Sequence, residues 1–209
     1  MLREETVEPG TLGLLKKIVA LPEITGYRLV GGTALSLLYG HRKSIDLDLF
    51  TDQPLNKEAL VPALEENFGS VISTNANRQH IYQCIIGDIR VDFVSVRDPF
   101  LNPIQVIDKI PFADIKDLIA LKLNAVKGRG VKKDFWDVAK LLEYYSMNEL
   151  FQFYYQRYSY DDSIALIRSM VYFNDAEDKI EPEALDGMTW EKVKQTIERA
   201  VKKYYKKRN

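Results

Sequence analysis

The sequence predicts an α+β protein, a mixed half of helices and strands followed by a half built from helices alone. Two observations carry this. Up to Pro111, short apolar or alternating runs are bounded by glycines and turn residues, the mark of strands interleaved with helices. Beyond Pro111 the apolar runs repeat with the 3.6-residue period of a helix. With 209 residues, 46% of them hydrophobic and 28% charged, the chain has room for one domain or a compact core with a helical appendage. The expected division is an α/β core over 1–111 and a helical region over 112–209, the two sharing one cleft.

Taken in order, 11–21 has helical spacing at Leu14, Leu15, Ile18 and Val19 and is stopped by Pro22. Residues 27–30 form a short apolar strand that runs into Gly31-Gly32, and 34–39 form a helix ended by Gly40. Residues 45–50 alternate apolar and polar, a strand signal. A helix over 57–68 follows, then strands over 71–74, 80–86 and 89–96, with Gly87-Asp88 as the hairpin turn between the last two. Helices are expected over 114–127, 133–145, 147–158, 163–171 and 189–205. Asp114 and Thr189 stand where N-caps belong, and Gly128 and Gly130 separate the first two of these helices.

Composition excludes several classes. No run of about 18 uncharged apolar residues exists, so a membrane-spanning helix is not expected. The charged start, Met1-Leu2-Arg3-Glu4-Glu5, is unlike a signal peptide, and Cys84 as the single cysteine allows no internal disulfide; both favour the cytoplasm. Two histidines, His41 and His80, cannot build a structural zinc site. The net charge of −1 is uninformative, but 122–133 gathers Lys122, Lys127, Arg129, Lys132 and Lys133 without an acid, a stretch suited to phosphates. The basic run 202–208 reads as a solvated helix end.

The chemistry centres on carboxylates. In Ile45-Asp46-Leu47-Asp48-Leu49 the strand period places Ile45, Leu47 and Leu49 on one face and Asp46 with Asp48 on the other. Two like charges on a strand face are best tolerated with a hard cation between them, and magnesium fits. Asp92 interrupts the apolar strand 89–96 and so needs a partner, either a metal or a nearby basic side chain. Should the two strands be neighbours, Asp46, Asp48 and Asp92 converge and can hold two magnesium ions for in-line phosphoryl displacement, with Asp92 also able to accept the proton of the attacking hydroxyl. Gly31-Gly32-Thr33, between a strand and a helix, offers backbone N–H groups and a helix N-terminus to an anion.

Residues 27–35 with their Gly31-Gly32, followed by His41-Arg42-Lys43-Ser44-Ile45-Asp46-Leu47-Asp48, resemble the nucleotidyltransferase AbiEii/AbiGii toxin family of the DNA polymerase β-like superfamily. The likeness covers roughly 25–145. It implies a polymerase-β-like core, a mixed sheet with flanking helices, followed by a helical bundle. It further implies a nucleoside triphosphate substrate, magnesium, an RNA acceptor such as the 3′ end of tRNA, and a cognate antitoxin. A protein hydroxyl or an aminoglycoside-like molecule is the next acceptor. A module that binds nucleotide or a partner without catalysis is the alternative of another class.

On the helix 114–127, Lys122 falls inside the apolar stripe of Ile115, Leu118, Ile119 and Val126. Two readings stand: a lysine snorkelling from the core's rim, or one reaching the triphosphate, which we prefer. The resemblance points the same way, pairing Lys122 with Arg129 and the segment Lys133-Asp134-Phe135-Trp136-Asp137. The expected site is therefore Asp46, Asp48, Asp92 and Lys122 in catalysis, with Gly31, Gly32, Thr33, Arg42, Ser44 and Arg129 on the triphosphate. Asp134 and Asp137 are supporting residues, Asp137 as an anchor for Lys122 or Arg129.

Overall fold

The structure, a computed structural model, describes residues 1–74 and 78–206. Lys207 and Arg208 of the basic tail lie outside the described residues. The chain divides into two compact units: Met1–Leu38 with Ser44–Asp114, and Tyr39–Lys43 with the helices from Ile115 onward. The division falls after Asp114 rather than Pro111, and it assigns the short segment 39–43 to the helical unit.

The first unit opens with α1 (Pro9–Ile18), started by Pro9, whose missing N–H is no loss in a first turn. It continues through β1 (Arg28–Val30), α2 (Gly31–Tyr39, whose last residue already belongs to the second unit), β2 (Leu47–Thr51) and α3 (Lys57–Phe68). There follow β3 (Val71–Ser73), β4 (Ile81–Ile86), β5 (Ile89–Ser95), β6 (Gln105–Ile107) and β7 (Ile110–Phe112). The seven strands form one mixed sheet in the order β3-β4-β5-β2-β1-β7-β6. β2 runs antiparallel to β1 and parallel to β5. Leu29, Leu47, Leu49, Val91 and Phe93 are fully buried, and the alternation leaves Asp48 and Asp92 on partly open positions between them.

Two departures from the expected elements matter. The pair β6–β7 was not foreseen; its turn is Asp108-Lys109, both with positive φ (51° and 66°), and neither is the glycine that usually announces such a turn. β2 begins at Leu47, so Ile45 and Asp46 precede it, and Ile45 is 57% exposed instead of sharing the buried face of Leu47 and Leu49.

The second unit holds α4 (Ile115–Gly128), α5 (Lys132–Leu141), α6 (Met147–Arg157), α7 (Ser163–Met170) and α8 (Trp190–Lys206). α4 packs on α5, α6 and α7, and α8 closes over α5, α6 and α7. Local signals set the ends. Ser146 and Glu149 form a reciprocal capping box on α6, Asp162 caps α7, and the Thr189 hydroxyl accepts from the Lys192 N–H on α8. The aromatic core joins Phe135, Trp136, Phe173 and Trp190, the two tryptophans stacked with centroids 5.9 Å apart. Trp136 and Trp190 are thus packing residues.

Candidate active site

In the first unit the glycine turn and the carboxylate strand meet side by side. The antiparallel register sets Val30 opposite Asp48, and Gly31 follows with a φ of +72°. A Cβ on Gly31 would come within 2.1 Å of Asp48 Oδ2 and 2.9 Å of its Cγ. Glycine is therefore required twice over: for its left-handed backbone, and because the Asp48 carboxylate occupies the space of a side chain. Gly31 and Gly32 open α2, so the first N–H groups of that helix lie beside this carboxylate edge of the sheet.

Thr33, fully buried, donates its hydroxyl to the Asp46 carbonyl and lies 2.9 Å from Ser44 Oγ. Thr33 and Ser44 thus tie the start of α2 to the approach of β2, and the Thr33 proton is committed to backbone. On the other side of β2, the parallel ladder sets Asp48 directly opposite Asp92. The two strands expected to be neighbours are neighbours.

Asp92 already has partners. Arg90, two residues earlier on the same face, donates from Nε to Oδ1 at 3.0 Å and from Nη2 to Oδ2 at 2.9 Å. Gln83, opposite Asp92 on β4, donates to Oδ2 at 2.8 Å. The Asp92 hydrogen bonds raise the affinity of Arg90 for its proton; burial opposes this, and the charges of Asp92, Asp46 and Asp48 reinforce it. Among the described residues no three His, Cys, Asp or Glu side chains stand grouped as a ready metal cage. In kind the donors suit a hard divalent ion: the Asp48 and Asp92 carboxylates stand level on neighbouring strands, Asp46 lies just ahead of β2, and the Gly31 backbone makes room for Asp48. Arg90 escaped the sequence reading, although its place two residues from Asp92 on a strand signals a shared face.

The expected residues of the second unit form a network, buried at Arg42, Lys122, Asp134 and Asp137 and exposed at Arg129. Asp137 Oδ1 accepts from His41 Nε2 at 2.7 Å and from Arg42 Nε at 2.7 Å; its Oδ2 accepts from Arg42 Nη2 at 2.9 Å and lies 2.7 Å from Lys122 Nζ. Lys122 also donates to Asp134 Oδ1 at 3.0 Å, and Arg129 forks onto both Asp134 oxygens at 2.9 and 3.2 Å. Burial resists charge on all three central groups. For Asp137 the attraction of Arg42 and Lys122 overcomes it and holds the carboxyl well below its usual range. For Asp134, Lys122 and then Arg129 do the same. Asp137 and Asp134 in turn keep Lys122 charged, with its pKa raised although burial pulls it down.

Lys122 is thus neither snorkelling nor open. Two further cations of its stretch are also engaged, Lys127 with Asp161 and Lys132 with Glu181. Asp137 pairs with Lys122, as an anchor would, and with Arg42 as well.

A helix-opening glycine turn thus lies against the Asp-x-Asp segment, with a third aspartate level on the parallel neighbour. The chain belongs to the AbiEii family: the family model for "Nucleotidyl transferase AbiEii toxin, Type IV TA system" matches residues 14–202. It is a nucleotidyltransferase by that membership. An uncharacterised protein of Aquifex aeolicus (strain VF5) is 32% identical over 200 residues, covering 91% of this chain and 93% of that one. Among solved structures the fold is shared with JHP933 from Helicobacter pylori (TM-score 0.56, 18% identity, 96% of this chain and 94% of that one). It is also shared with MenT4, a nucleotidyltransferase toxin from Mycobacterium tuberculosis H37Rv (TM-score 0.57, 15% identity, 93% and 87%). No helix among the described residues is long and apolar enough to cross a membrane.

Proposed function

We propose that this chain moves a nucleoside monophosphate from a nucleoside triphosphate to a hydroxyl of RNA, the 3′ end of tRNA foremost, in the cytoplasm, as a toxin restrained by a cognate antitoxin. The observation that carries the transfer is the placement of Asp48, its carboxylate against the Gly31 backbone and its register level with Asp92. Family membership supports the toxin role and the antitoxin; the RNA acceptor is what the resemblance of the sequence to that family implies.

In this reading the N–H groups at the start of α2, from Gly31 and Gly32, face the triphosphate. Asp46, Asp48 and Asp92 would hold magnesium, two ions in all. Bound there, magnesium supplies Lewis acidity at the α-phosphate and neutralises the departing pyrophosphate. The acceptor oxygen forms a bond to the α-phosphorus while the bond from that phosphorus to the bridging oxygen breaks, and Asp92 accepts the hydroxyl proton. Thr33 and Ser44 position the Asp46 backbone. We assign the buried Lys122 and Arg42 to positioning rather than to phosphate contact, because Asp134 and Asp137 already hold their charges, whereas Arg129, its side chain 58% exposed, keeps its place on the triphosphate.

The test is incubation with total cell RNA and each α-labelled nucleoside triphosphate in turn. Magnesium-dependent label in tRNA, lost in Asp48→Asn, is the expected outcome. Label in protein would move the acceptor to a side-chain hydroxyl, and no label with any triphosphate would leave a binding module in place of an enzyme.

A further inference from the structure

We propose that Arg90 is a built-in counter-ion of the carboxylate site, which a divalent cation must displace from Asp92, so that metal and nucleoside triphosphate enter the site cooperatively. The inference rests on the reading of Asp46, Asp48 and Asp92 as metal ligands and adds a residue that tunes them.

The geometry argues for displacement. A carboxylate offers about four lone-pair directions, and Arg90 takes one on each oxygen of Asp92 while Gln83 takes another on Oδ2. One direction on Oδ1 is left, and a cation that takes it comes to lie beside the forked guanidinium, which carries a like charge and is always protonated. Gln83 is neutral and sits in the ladder opposite Asp92, so it can stay. Arg90 is the member able to leave, since its side chain is 54% exposed where that of Asp92 is 14% exposed. The fork is shaped for carboxylate and for phosphate alike. Once released, the guanidinium stands at the mouth of a site that receives a polyanion, and the triphosphate compensates it. Metal alone therefore opposes Arg90, whereas metal with triphosphate satisfies it.

Two properties follow. The parent chain binds a lone divalent ion weakly and binds it far better with nucleotide. Removing the charge of Arg90 strengthens lone-ion binding and flattens this dependence. Arg90→Gln keeps a polar, flexible side chain at an exposed strand position, and Arg90→Lys keeps the charge without the fork.

The experiment titrates Mn2+ into chelator-stripped full chain, followed by the electron paramagnetic resonance signal of the free ion, with and without a non-hydrolysable nucleoside triphosphate. For Arg90→Gln we expect Mn2+ alone to bind roughly tenfold more tightly than to the parent, the scale of one unit charge removed from beside a divalent ion in water-like surroundings. The nucleotide-induced gain should shrink by a similar factor, and Arg90→Lys should fall between the two chains. Asp48→Asn serves as the control and should lose Mn2+ binding. If Asp48→Asn loses Mn2+ while Arg90→Gln binds it no more tightly than the parent, the counter-ion role is overturned and the metal site stands. If Mn2+ binding ignores Asp48→Asn, the carboxylate reading falls and this inference falls with it.

Discussion

Asp92 in the first unit and Asp137 in the second each accept a forked arginine, yet their surroundings differ. The Arg90–Asp92 side chains are 54% and 14% exposed; those of Arg42 and Asp137 are 3% and 0% exposed. Water screens the first pair and competes for its members, so it is exchangeable, and an exposed pair of this kind contributes only about 0–1 kcal/mol. The second pair is sealed, joined by His41 and Lys122, and its members have nowhere to go. Breaking such a buried pair costs roughly 3–5 kcal/mol because the remaining charge stays behind uncompensated. One residue pattern, Arg with Asp, yields an exchangeable ion pair in one place and a structural lock in the other, and burial decides which.

The sharpest way to break the comparison is Asp137→Ala. It leaves Arg42 and Lys122 buried, Lys122 still paired with Asp134, and should cost about 3–5 kcal/mol in urea unfolding. Asp48→Asn, measured in the same way, should change stability by less than ~1 kcal/mol, because it removes one of several like charges at a partly open edge. Equal losses in the two variants would erase the distinction.

Lys122→Met should come next, at about 2 kcal/mol, less than for Asp137 because Arg42 still serves Asp137 and Arg129 still serves Asp134. Single-turnover label transfer then separates roles. A positioning lysine predicts that transfer falls together with folded fraction and that nucleotide affinity of the folded protein holds; a lysine on the triphosphate predicts lost affinity at normal stability.

Acid pH sharpens the same contrast. Asp134 and Asp137 are depressed in the folded chain, so their contribution is present above the ordinary carboxylate value of about 3.9 and is lost as pH falls through the folded values. Lys122 is raised, so its contribution is full below about pH 10 and is lost only as pH rises through its folded value. The urea midpoint should stay flat between about pH 6 and about pH 9 and fall in acid, and Asp137→Asn should lessen that acid slope.

Gly31→Ala should cost a modest amount of stability and most of the activity. A left-handed alanine costs about 1–2 kcal/mol, and its methyl would push the Asp48 carboxylate aside. Loss of transfer beyond what that loss of stability explains is the expected result of the labelling assay combined with urea unfolding.

Much of this was legible in the residues. Alternation at Leu47, Asp48 and Leu49, the apolar run around Asp92 and the 3.6-residue spacing after Pro111 report local periodicity, and local periodicity is what a chain writes down directly. Gly31-Gly32 and the Asp-x-Asp pair could be joined into one site because a short helix returns the chain to the neighbouring strand. The β6–β7 hairpin stayed hidden because Asp108-Lys109 adopts a left-handed turn without glycine, held by pairing to β1 that no local signal encodes.

What the tertiary structure alone decided is who partners whom. The sequence by itself set the charge of Lys122, Arg42, Arg90, Asp92 and Asp137 and the helix or strand that carries each. It could not say that Lys122 ends between Asp134 and Asp137, nor that Arg42 reaches Asp137 from far along the chain, nor that Arg90 clasps Asp92. A charge interacts across a few ångströms of space whatever the separation along the chain, and its strength depends on the water excluded around it. Both quantities exist only once the chain has folded.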